Sequence, residues 1–101
     1  MAGGRSSGAR VACRTAGATD AVAVLCLAFP VHPPGRPEKT RLAELDAVSA
    51  PVLVVQGEND PFGMPPPAAH RTVVAVPGTH ALRNKDAVAA AVSDWLVALG
   101  L

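Results

Sequence analysis

Three side chains in this sequence are of the types that nucleophilic acyl transfer requires, and each sits in a turn-forming context. Ser6 lies in "GGRSSGAR", residues 3–10, where Gly4 and Gly8 flank it in the pattern G-x-S-x-G. A serine hydroxyl is a weak nucleophile until a base takes its proton. The pattern places the serine in a strained turn between strand and helix, with small residues two before and two after so that backbone can approach closely. The helix that follows presents free N–H groups and a favourable dipole to developing negative charge. The N–H of Ser7 is then the expected oxyanion donor. Ser7 is not the nucleophile of this pattern, because Arg5 and Ala9 flank it.

Asp60 lies in "VVQGENDPFG", just past an apolar segment, and His80 in "VPGTHAL", just past another. Open parallel sheets gather their sites at such carboxyl ends. Asn59-Asp60-Pro61 also suits a plain Asx-turn, so Asp60 alone would decide nothing. His32 and His70 sit in Pro-rich loops and read as surface residues. Taken together, Ser6 would attack, His80 would take and return the proton, and Asp60 would orient and stabilise the imidazolium. The chain order Ser, Asp, His is that of the α/β-hydrolase arrangement.

These residues need a scaffold, and the hydrophobic pattern supplies one. Ala21–Phe29, Pro51–Gln56 and Thr72–Val76 are short apolar runs without alternation. Such runs suit parallel strands covered on both faces. Helical spacing predicts a helix over Ser7–Thr15 with Val11 and Cys13 partly inward. A second is expected around Leu42, Leu45 and Val48 after Thr40. A third covers Asn84–Leu99 with Val88, Val92, Trp95, Leu96 and Leu99 on one face. Asn84 or Asp86 can cap the last helix and Gly100 can end it. The expected class is α/β, with three parallel strands and flanking helices. Two long Pro-rich loops, Pro30–Lys39 and Gly57–Arg71, are expected to carry function, with Pro30–Lys39 and Phe62–His70 bordering the pocket.

Composition narrows the alternatives. The chain has 101 residues, enough for one small domain, and a formal net charge of +1. That balance gives no reason to expect nucleic acid or an anionic membrane as partner. Two Phe, one Trp and no Tyr leave little for base stacking. "GGRSSGAR" lacks the spacings of nucleotide-binding glycine loops. Cys13 and Cys26 form no C-x-x-C or Cys/His cluster, so no zinc site is expected, and they read as buried thiols in a reducing compartment. The nine-residue apolar run Ala21–Phe29 is too short for a membrane helix. Its flanks do not suit a signal peptide. A cytoplasmic setting is expected.

The blocks "GGRSSGARVA", "FPVHPPGRPEK", "PVLVVQGENDPFG" and "GTHAL" resemble successive parts of an α/β-hydrolase-like domain. That domain is shared by bacterial hydrolases, the eukaryotic KAT8 NSL complex subunit 3 and testis-expressed protein 30, and is distantly like the dienelactone hydrolases. The resemblance implies a serine hydrolase acting on a small-molecule ester or related acyl bond, with no metal or organic cofactor. It also implies a fold of roughly twice this length, of which this chain is the carboxyl-terminal half (residues 1–101 as one partial domain). On that reading the strand before Ser6 is reduced to Met1–Gly3, and the loop that gives the second oxyanion N–H is missing. Ala21–Phe29 is left as an unpaired edge open to self-association, and activity is impaired. The alternatives are a non-enzymatic interaction domain and a gene remnant.

Overall fold

A computed structural model of the chain describes residues 1–100. Four parallel strands form one sheet: β1 (Ala2–Arg5), β2 (Val24–Leu27), β3 (Val52–Gly57) and β4 (Arg71–Val76), side by side in chain order. Three helices accompany them: α1 (Ser7–Thr15), α2 (Leu42–Asp46) and α3 (Lys85–Leu99). The fold is the α/β class that the apolar runs predict, with one strand more. The glycine-rich "AGGR" carries no apolar signature, yet it is a strand because β2 offers it a partner. Ala2 pairs with Val24 and Arg5 with Leu27.

That pairing corrects the expected edge. β2 is bonded to β1 on one side and β3 on the other, so Ala21–Phe29 is not an unpaired edge. The sheet ends at β1, whose flank borders a groove of about 440 Å³ lined in part by Met1, Gly8, Val11 and Val22. The regular part of β2 is also shorter than the apolar run. Ala28 has φ 56°, outside the strand region, and turns the chain at the sheet's carboxyl rim.

β3 shows why the runs do not alternate. Val52 and Val54 face one core with α1 and α2, while Leu53 and Val55 face a second core with α3. All six residues of the strand are buried. Full burial of each such aliphatic side chain is worth about 1.5–3 kcal/mol. On the first face α1 packs Ala9, Ala12, Cys13 and Ala16, a spacing of 3, 1 and 3 that defines one helical stripe. Val11 falls off that stripe and is 49% exposed, contrary to its expected inward position.

On the second face α3 buries Ala91 and Trp95, with Val88, Val92, Leu96 and Leu99 packed beside them. The side chain of Asn84 caps α3 by accepting the Ala87 N–H at 3.1 Å. Gly100, at φ 77°, ends it by donating to the carbonyls of Leu96 and Val97. β3 and β4 are joined by an irregular segment, and this connection carries Asp60. Among the described residues no helix is long and apolar enough to cross a membrane.

Candidate active site

Ser6 sits between β1 and α1 with φ 53° and ψ −120°. A non-glycine residue held there costs on the order of 1–3 kcal/mol, so neighbours must enforce it. The Ser6 N–H donates to the Leu27 carbonyl at 2.9 Å, and its own carbonyl accepts the Ala9 N–H at 2.9 Å. Gly4 makes the turn possible. A Cβ there would stand 2.2 Å from the Gly8 carbonyl oxygen. Gly8 differs, because a Cβ at that position meets nothing within 4 Å. Among the described residues, packing requires the first glycine of the pattern and not the second.

A serine before a helix would ordinarily cap it. The Ser6 side chain makes no capping bond. Its Oγ lies 2.8 Å from His80 Nε2 instead. Nδ1 of His80 lies 2.8 Å from Asp60 Oδ2. With Nδ1–H donating to the carboxylate, Nε2 is free to accept the serine proton. The second Asp60 oxygen, Oδ1, accepts the Phe62 N–H at 2.8 Å. Asp60 therefore has one oxygen in the turn and the other against the imidazole. The Asp60 side chain is 1% exposed and the His80 side chain 22%, so the carboxylate is sheltered while the imidazole remains reachable.

Ser7 is the first residue of α1, so its N–H has no partner within the helix. It lies directly after Ser6. The three sequence-selected side chains thus meet at the carboxyl rim of the sheet, from the ends of β1, β3 and β4. His32 and His70 are not part of the meeting. His32 is half-buried, with Nδ1 2.8 Å from the Pro33 carbonyl oxygen.

Phe62–His70 is not a single pocket wall as expected. The Phe62 ring stacks on His80 with centroids 4.2 Å apart. The carbonyl of His70 instead accepts from the N–H of Val52, at the amino end of β3 and the opposite end of the sheet.

Two further residues hold the rim and were not singled out by the sequence. Gln56 is fully buried at the end of β3, and its Nε2 donates to the carbonyls of Phe29 and Gly63, both at 2.7 Å. The first of these carbonyls lies just before the Pro30–Lys39 loop and the second within Gly57–Arg71. A lone amide closing an apolar strand was the signal available. Arg5, next to Ser6, donates to the Ala81 carbonyl and so joins the elbow to the segment carrying His80.

A family model described as an alpha/beta hydrolase domain matches residues 1–86. The chain belongs to that family. Among solved structures, the domain is similar to an alpha-beta serine hydrolase homologue from Coxiella burnetii, with a TM-score of 0.55 and 18% sequence identity. The match covers 88% of this chain and 44% of that one, so the domain spans less than half the length of that relative. At this identity the likeness speaks for the fold. No curated protein matches the chain.

Proposed function

We propose that this domain belongs to a serine hydrolase that cleaves an ester or related acyl bond through Ser6, His80 and Asp60. The observation that carries the reading is the unbroken relay Ser6 Oγ, His80 Nε2, His80 Nδ1, Asp60 Oδ2, with both links at 2.8 Å. In the proposed reaction His80 takes the Ser6 proton as Oγ attacks the acyl carbon. The Ser7 N–H receives the developing oxyanion. His80 then protonates the leaving alcohol, and water repeats the steps in reverse to free the acid. No metal or organic cofactor takes part.

The finer kinship is proposed on the same sequence blocks: the branch shared with KAT8 NSL complex subunit 3 and testis-expressed protein 30. One oxyanion donor is supplied by the residues described, and such holes ordinarily have two. Loss of either donor of such a hole costs about 10²–10³-fold in kcat. The alternative reading is a non-enzymatic interaction domain, because the fold alone does not settle activity. A fluorophosphonate probe separates the two. The hydrolase reading expects covalent labelling at Ser6 that disappears in Ser6→Ala. A cooperatively folded protein that takes no label supports the interaction domain.

A further inference from the structure

We propose that Cys13 and Cys26 form a peroxide-sensitive thiol pair that closes to an intramolecular disulfide. Their sulfur atoms lie 3.5 Å apart, and both thiols are free. Cys13 is on the inner face of α1, and Cys26 is in the middle of β2, paired with Gly4 of β1. A helix and a strand that pack directly are thus one bond from being fastened together. A disulfide needs the sulfurs at about 2 Å, a closure of about 1.5 Å. Neither thiol touches Ser6, His80 or Asp60, so the inference stands apart from the proposed hydrolysis.

The two sulfurs are unequally placed. Cys26 has no exposure, whereas Cys13 is 5% exposed. Cys13 also borders two surface grooves beside the contact of α1 with α2, of about 320 and 430 Å³. A small oxidant therefore meets Cys13 first. Either thiol can donate in the contact between them, and that contact together with burial raises the Cys26 pKa. The greater exposure of Cys13 makes it the attacking thiolate.

The chemistry balances with hydrogen peroxide as oxidant. The Cys13 thiolate attacks one peroxide oxygen, the O–O bond breaks, and hydroxide leaves with the proton that Cys13 gave up, as water. Cys13 becomes a sulfenic acid. The Cys26 sulfur then attacks the Cys13 sulfur, the S–O bond breaks, and the hydroxyl leaves with the Cys26 proton as a second water. Two thiols are oxidised by two electrons in all, and one peroxide is reduced to two waters. The closed loop runs from the last turn of α1 through its link into β2, and stability rises by constraint of the unfolded chain.

The test is intact-mass analysis of the folded, reduced chain before and after graded hydrogen peroxide, with thermal melts alongside. The expected product is a monomer lighter by two hydrogen atoms, with no thiol open to alkylation after denaturation and a raised Tm. Dithiothreitol reverses all three changes. Cys13→Ala and Cys26→Ala each abolish the mass loss. Two free thiols after a peroxide dose that oxidises the urea-unfolded chain would overturn the proposal. So would oxidation of Cys13 to sulfinic acid without a cross-link, or disulfides between chains only.

Discussion

A Cβ placed on Gly57 would stand 2.3 Å from the carbonyl oxygen of Thr79. The last residue of β3 and the residue before His80 are therefore in backbone contact. The Asn59 N–H donates to the Gly78 carbonyl at 2.9 Å beside the same contact. Two loops that each carry one member of the relay cross here, and the crossing sets the distance between Asp60 and His80. Gly57→Ala is expected to lose at least about 2 kcal/mol in urea unfolding, because backbone on both sides must shift.

The two glycines around Ser6 are expected to behave differently. Gly4→Ala drives a methyl into the Gly8 backbone and should unfold the elbow or greatly destabilise the protein. Gly8→Ala meets open space within α1 and should raise stability by about 0.5–1 kcal/mol, the usual gain over glycine in a helix. Paired thermal melts of the two variants check this. Equal losses would mean that Gly8 is also packed against.

Asp60→Asn and Asp60→Ala separate the two duties of that side chain. The asparagine keeps an oxygen for the Phe62 N–H, so stability should stay near that of the parent. Hydrolysis of a chromogenic aryl ester should fall on the order of 10³–10⁴-fold, because the amide no longer holds Nδ1 protonated. The alanine should show the same kinetic loss and an additional destabilisation of about 1 kcal/mol from the unfilled Phe62 donor. Full activity in Asp60→Asn would remove Asp60 from the mechanism.

Gln56→Leu leaves the Phe29 and Gly63 carbonyls without their shared donor. The expected cost is about 1–3 kcal/mol, reduced by removal of Oε1, which has no partner in the parent. Amide exchange should quicken around Asp60–Gly63, while the melt of α3 should move with the global transition only.

The Arg10–Glu44 pair gives a pH dependence. Arg10 donates to both Glu44 oxygens, at 3.0 Å from Nε and 2.7 Å from Nη2, joining α1 to α2. These bonds lower the Glu44 pKa in the folded chain. Its contribution is therefore present above the unfolded glutamate pKa and lost as pH falls through the lower, folded value. Both groups are partly exposed, so the effect should stay within about 1 kcal/mol. Glu44→Gln should destabilise at neutral pH and converge with the parent at acid pH.

The scaffold was largely legible because its signals are local. Unbroken apolar runs marked β2, β3 and β4, and helical spacing marked α1 over Ser7–Thr15. β1 was not legible as a strand of full length, since "AGGR" owes its conformation to its β2 neighbour and carries no pattern of its own. Ser6, Asp60 and His80 could be selected from residue type and position after strands, and the structure brings them together. Arg5 could not, and Gln56 only through the amide that closes an apolar strand, because their partners are main-chain carbonyls, which no residue type announces.

Sheet order here equals synthesis order, each strand lying beside the one made before it. A growing chain can lay down three strands and both crossover helices while the hydroxyl at position 6 still lacks its imidazole. The bond spanning 74 positions closes only after β4 has docked. Chemical competence, if assayed on stalled nascent chains, would then be among the last properties the domain acquires.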